Sequence, residues 1–357
     1  MRSALEGLRV GLVLSGLALT GLALTGLALT GLALAGLALT GLALSGCSAP
    51  APPGPVQASS AAAAPATPAT AARTTGAPAS PSPGVTASPT PACTGIAPGF
   101  SCVMQQRISE AQHYLAGRHG SIGIVLDDRV TGAVWHNGHA HTLYPAASTM
   151  KLAVMTDLLL RDRRGSIHLT AADRGEMYQA LHTSNDIDAN DLWNKYEDAT
   201  FQQRIRAFGM TRAHFTGEIN WGFMYCTPKD LDHLMNYVLT KAPAAVRDYL
   251  VRQLQHVSVH DQQWGVWGAG PANQPGNKDG WEQDPIGPGN AQWITNTVGF
   301  AGPAQEYTLS IMDNVHDYGG AGPRGFFYGT NTLTQIASIL FQGHHTTAPH
   351  PQPSYVP

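Results

Sequence analysis

Tyr144-Pro145-Ala146-Ala147-Ser148-Thr149-Met150-Lys151 runs straight into the apolar segment Leu152-Ala153-Val154-Met155. Ser148 follows a proline-containing approach and precedes residues that favour helix, so it stands where a helix should begin. Three residues on, a helix would carry the Lys151 ammonium up beside the serine hydroxyl. A serine hydroxyl alone is a poor nucleophile and needs an adjacent proton acceptor to attack a carbonyl. Lysine serves when burial or a second cation lowers its pKa, because desolvation disfavours the charged form. The same four residues also suit a plain helix cap with an exposed lysine. Other segments must decide.

The 357 residues would allow two domains by length, but the first quarter does not read as a folded unit. Residues 1–47 carry Arg2 and Arg9, then no charge. Gly-Leu-Ala-Leu-x recurs there, starting at Gly16, Gly21, Gly26, Gly31, Gly36 and Gly41. A five-residue step turns a helix by about 500°, so the glycines form no packing seam. The run exceeds an ordinary signal h-region and is long enough to span a bilayer. It ends in Leu44-Ser45-Gly46-Cys47, which resembles the lipobox of bacterial lipoproteins. That resemblance implies cleavage before Cys47, acylation of its thiol and new amino terminus, and an exported domain lipid-anchored at the outer face of the cell membrane. Residues 48–92 are almost entirely Ala, Pro, Ser, Thr and Gly, a composition that cannot bury enough apolar area to fold and reads as a spacer.

The folded part is expected over 93–345, with a disordered tail at 346–357. Cys93 and Cys102 bracket a short loop and can form a disulfide outside the cytosol, while Cys226 is either a free thiol or the partner of Cys102. Hydrophobic periodicity predicts a helix over 103–117 and strands over 121–126 and 133–135. Helices follow at about 148–162, 170–183, 186–195, 200–208, 227–240 and 243–256. Strand signals return at 276–282, 291–301 and 306–313, with a closing helix from about Asn331 to Phe341. This order predicts an α/β (α+β) domain, an antiparallel sheet flanked by helices with an inserted all-helical subdomain.

Two further segments complete a pattern. Thr183-Ser184-Asn185-Asp186 sets short polar residues between two helices, which by itself suits a helix cap. Asn277-Lys278-Asp279-Gly280-Trp281 sets a lysine and a glycine on a strand, which by itself suits a surface turn. Taken in order with Ser148-Thr149-Met150-Lys151, they resemble the signature set of the serine β-lactamase and penicillin-binding protein superfamily: Ser-x-x-Lys, Ser-x-Asn, Lys-Thr-Gly. Cys226-Thr227-Pro228-Lys229-Asp230-Leu231 is similar to the Thr-Pro helix start that follows the omega loop of class A members.

The resemblance implies a Ser148 acyl-enzyme, with Lys151 helping to remove the serine proton and Ser184 passing a proton to the departing nitrogen. Lys278 would keep Lys151 less basic and attract a substrate carboxylate. Backbone N–H groups of Ser148 and of Glu282, just beyond Gly280, would form an oxyanion hole, with donors worth about 3 kcal/mol each. Asp186, Asp279, Gly280 and Glu282 would line the substrate side. The implied ligand is a β-lactam or a peptidoglycan stem-peptide-like small molecule ending in D-Ala-D-Ala, handled by a monomer with no cofactor and no metal.

Three departures bear on activity. Asp186 replaces an asparagine, and an ionised carboxylate cannot donate to a substrate carbonyl. Asp279 replaces a hydroxyl residue and, facing inward, would repel a substrate carboxylate. The omega-loop equivalent is short, leaving Glu218 as the candidate deacylation base. The sequence therefore supports acylation better than fast deacylation: a β-lactamase-like hydrolase, a slow-deacylating penicillin-binding protein or D,D-peptidase, or a non-catalytic binder. His136, His139 and His141 have no cysteine partner nearby and read as a solvated hairpin. A net charge of −3 argues against nucleic acid as a partner.

Overall fold

The computed structural model describes Cys93, residues 95–284, 292–316, 318–319 and 322–343. Cys47, the Gly-Leu-Ala-Leu leader, the spacer and the tail lie outside the described residues. Cys102–Leu115 (α1) opens the domain, capped by the Ser101 hydroxyl, which accepts from Met104 N. Cys93 and Cys102 are joined by a disulfide, whereas Cys226 is a free, buried thiol.

Ser121–Asp128 (β1) and Ala133–His136 (β2) form a hairpin, and Tyr144–Pro145 (β3) is a short bridge strand. Met150–Arg163 (α2), Ala171–His182 (α3), Asp186–Tyr196 (α4) and the single turn Phe201–Arg204 (α5) make the helical block. His214–Phe215 (β4) and Met224–Cys226 (β5) follow, then Pro228–Thr240 (α6) and Ala244–Leu254 (α7). The last described elements are Gly276–Asp284 (β6), Gln292–Ala301 (β7), Tyr307–Val315 (β8) and Pro323–Phe341 (α8).

The main sheet is antiparallel in the order β2-β1-β8-β7-β6, so the last strands in sequence insert beside the first. Alternation along the strands builds two cores. Ile124, Leu126, Leu309 and Ile311 face α1 and α8. Val298, Phe300 and Met312 face a larger core made with α2, α3, α4, α6 and α7. α2 is buried along most of its length, from Met150 to Leu160, which makes it the pillar of the helical block. Its far end is tied by Arg161 and Arg204 to the buried carboxylates of Asp157 and Glu197.

The closing helix differs from expectation by beginning at Pro323, eight residues before Asn331. Its first turns are rich in aromatic residues, which have modest helix propensity. Burial decides: Phe326 is fully buried against Trp293 at 5.2 Å between ring centroids, with Trp264 and Trp281 beyond. The small sheet β3-β5-β4 was not expected from the sequence; its three strands have only two or three residues each.

Candidate active site

The approach to Ser148 is held on two sides. Asn296 on β7 donates through Nδ2 to Pro145 O at 2.9 Å and Ala146 O at 3.2 Å, and Ala146 N donates to Met224 O on β5 at 2.8 Å. Ala147 then takes φ +47°, a conformation that costs a non-glycine residue about 1–3 kcal/mol and clusters at functional sites. A 3-10 turn over Ala147–Thr149 leads into α2, so Ser148 sits in the turn before the helix. Its hydroxyl makes no hydrogen bond among the described residues. Ser184 has φ +63°, and Asn185 caps α4 by accepting from Ile187 N and Asp188 N.

Lys151, buried completely, donates to Ser184 O at 2.5 Å, to Ser184 Oγ at 3.3 Å and to the Asp186 carboxylate. Its Nζ also stands 4.5 Å above the Trp221 ring. Lys278, equally buried, donates to Ser184 Oγ at 2.9 Å, Gln262 Oε1 at 2.7 Å and Asp279 O at 2.7 Å. Ser184 Oγ is thus bridged by two ammonium groups from different elements. Gly280 lets β6 close on the nucleophile: a Cβ there would lie 2.6 Å from Thr149 N and 2.8 Å from Ser148 N.

Burial is the main cause that lowers Lys151 to about 8, against the nearby Asp186 carboxylate, which pulls it up. Lys278 is pushed well below the ordinary lysine value, first by burial and then by Lys151. Desolvation is the first cause for both lysines, and their mutual repulsion adds to it.

Other site residues fall differently from the sequence reading. Asp186 turns to Lys151 and not to an open substrate subsite, although its side chain remains 67% exposed beyond that ion pair. Asp279 is fully buried with its carboxyl beside Thr297 and Asn277, and burial raises its pKa well above the ordinary value. Burial of this kind disfavours the charged form and so weakens the like-charge repulsion expected toward a substrate carboxylate. Glu282 lies two residues beyond Gly280 and is half-buried, while the backbone brought against Ser148 is that of Gly280 itself. Glu218 is exposed on the loop before Trp221. The position over Lys151 is filled by the Trp221 indole, whose Nε1 donates to Asn190 Oδ1 at 2.9 Å.

Gln262 and Trp221 carry no motif signal. Gln262 donates to Leu181 O and to His182 O (3.0 Å), and accepts from Lys278 Nζ, which fastens the end of α3 to β6. The Thr-Pro helix start has the expected geometry, with Thr227 and Asp230 forming a reciprocal capping box around Pro228.

The described domain has the fold of class A β-lactamases and penicillin-binding proteins: a five-stranded antiparallel sheet with a helical region on one side. A β-lactamase of Xanthomonas campestris pv. campestris superposes with a TM-score of 0.55 at 16% identity, covering 67% of this chain and 98% of that one. A β-lactamase of Burkholderia vietnamiensis gives 0.54 at 16% identity over 66% and 95%. PBP-A gives 0.53 at 14% identity over 67% and 94%. No family model matches the chain. Among curated proteins it is similar to the provisionally named lipoprotein LppW of Mycobacterium tuberculosis, 24% identical over 244 residues, 66% of this chain and 74% of that protein. The Mycobacterium bovis protein of the same name matches to the same extent.

Proposed function

We propose that this domain is a β-lactamase-like serine hydrolase that forms an acyl-enzyme through Ser148 on β-lactam or D-Ala-D-Ala-type substrates and releases the acyl group slowly. The observation that carries this reading is the bridge Lys151–Ser184–Lys278 beside an unencumbered serine that follows the positive-φ Ala147. In the acylation step the Ser148 Oγ–carbonyl bond forms while its proton passes to Lys151 in its neutral form. The oxyanion is stabilised by backbone donors near Ser148 and Gly280. The C–N bond then breaks as Ser184 hands its proton to the nitrogen, and the lysines reload Ser184. Lys151 must leave Asp186 for this. Catalytic contacts are often loose without substrate, so the missing Lys151–Ser148 bond is compatible with the role.

Slow deacylation is supported by Trp221, an indole with no base to activate water, standing where it shields Lys151. Glu218 is exposed and its side chain accepts no hydrogen bond that would aim it at the site. The second reading, a non-catalytic binder, is favoured by one observation, the Asp186 carboxylate that occupies Lys151. We place the domain outside the cell membrane as a lipid-anchored monomer held through Cys47, with no nucleic-acid partner. The likeness to LppW supports the anchor, and among the described residues no helix is long and apolar enough to cross a membrane.

Fluorescent penicillin and nitrocefin separate the readings. Expected are a stable one-to-one label and a stoichiometric burst of nitrocefin, both lost in Ser148→Ala. Sustained turnover lost in Ser148→Ala would replace slow release with a true β-lactamase, and absence of any label would leave only the binder.

A further inference from the structure

α1 and α8 pack together on the face of the sheet opposite the helical block, and between their ends lies a hollow of about 680 Å³. Tyr114 and Arg118 line it from the α1 side, and Tyr318, Arg324, Phe327 and Tyr328 from the α8 side. Its volume falls within the range of small-molecule sites. The Arg118 guanidinium stacks on Tyr114 at 4.6 Å and stands 5.7 Å from Tyr328, while Arg324 stacks on Tyr318 at 4.9 Å. Tyr318 and Tyr328 pack at 4.1 Å, with the His119 ring 5.1 Å from Tyr318.

Two cations share this hollow, and among the described residues neither meets a carboxylate. Among the described residues their guanidiniums donate only to tyrosine hydroxyls and at long range, Arg118 to Tyr114 at 3.5 Å and Arg324 to Tyr318 at 3.3 Å. Arg118 Nε is buried without any partner. The chain as a whole is acidic, at −3, yet carries no Asp or Glu after Asp317. Planar guanidiniums held flat on aromatic rings keep their N–H edges free for a bidentate anion. Tyrosines add flat apolar faces and hydroxyls, which suit the alternating C–H and O–H surface of a sugar ring.

We infer that this hollow is a binding site for an acidic sugar, a saccharide bearing a carboxylate or a phosphate, separate from the Ser148 site. The guanidinium pair takes the anion and the tyrosines stack on the ring. The inference does not depend on the Ser148 chemistry.

Calorimetric titration of the full chain in detergent tests it, with N-acetylmuramic acid as the carboxylate probe, glucose 6-phosphate as the phosphate probe and N-acetylglucosamine as the neutral control. At least one acidic probe should saturate, bind about tenfold or more tighter than the neutral sugar, and weaken as salt rises from about 20 to about 300 mM. Which acidic probe is tighter assigns the anion. The double variant Arg118→Gln, Arg324→Gln should lose about tenfold or more in affinity with an unchanged melting curve, since two charge-assisted contacts vanish. Arg324→Lys, which keeps charge and loses the fork, should fall between. Failure of both acidic probes to saturate by about 20 mM, equal binding of the neutral sugar, or full affinity in the double variant would overturn the site.

Discussion

Lys151 is where burial and charge pull in opposite directions. Burial brings it to about 8, while the Asp186 carboxylate, on its more exposed side, holds the proton on. As a base Lys151 acts only when neutral, so Ser148 acylation should rise with pH through a midpoint near 8. Asp186→Asn removes the influence that raises the lysine, and the midpoint should move to lower pH. At neutral pH the variant should label with fluorescent penicillin faster, by roughly 3–10-fold, since one pKa unit is a tenfold change in the neutral fraction. Labelling rates from about pH 5.5 to 9.5 measure this directly. An identical midpoint in both proteins would mean that Lys151 is not the titrating base.

At the scale of elements the site is a joint between the start of α2, the α3–α4 turn and the edge strand β6. The closest backbone approach is at Gly280. Gly280→Ala places a methyl group against Ser148 N and Thr149 N, so β6 must retreat from α2. The expected result is a loss of labelling of about a hundredfold, from misplacement by roughly 1 Å. The stability cost should stay at about 1–3 kcal/mol, which a urea unfolding curve reports. Undiminished labelling would show that this contact does not set the geometry.

The same joint shows what the sequence could disclose. Ser148, Lys151, Ser184 and Lys278 were legible because each sits in a short motif whose order matches one fold, and the sheet and most helices followed from periodicity. Trp221 and Gln262 were not legible, because their importance comes from what the tertiary fold sets beside them, Lys151 and Lys278 respectively. For Asp186 and Asp279 the motifs disclosed the position in the chain but not the partner each side chain meets. A strand position defines which face a side chain takes, but not whether a neighbouring amide and threonine will bury its carboxyl. The start of α8 was missed because propensity was read where aromatic burial rules.

Across the whole molecule, polar groups are threaded through the sheet, and several are acids held away from water. Asp232 on α6 accepts from Thr308 Oγ1 of β8 at 2.7 Å and from Asn236 Nδ2 at 3.3 Å, and burial is the main cause that raises it to about 6. Burial also pushes Asp279 and Asp313 well up. Below about pH 4 Asp232 is protonated in both native and unfolded chains and has no effect on the balance. Between about pH 4 and 6 the unfolded carboxyl ionises while the native one keeps its proton, so stability falls as pH rises. Above that window the native state is less stable by on the order of 2–3 kcal/mol from this group alone. Asp173 works the other way: despite burial, hydrogen bonds from Lys195, Thr170 and Tyr196 hold it well below the ordinary value. Its stabilisation is lost only as pH drops below about 4. Between them these two groups favour the folded chain most near about pH 4. Asp232→Asn keeps an acceptor for Thr308 and cannot ionise, so it should flatten the descending limb. Melting temperatures of the two chains should diverge between about pH 4.5 and 7.5, the variant gaining roughly 4–10 °C relative to the parent at the higher pH. Parallel curves across that range would show that Asp232 is already charged in the native protein, with Lys229 at 3.6 Å supplying enough compensation to hold it so.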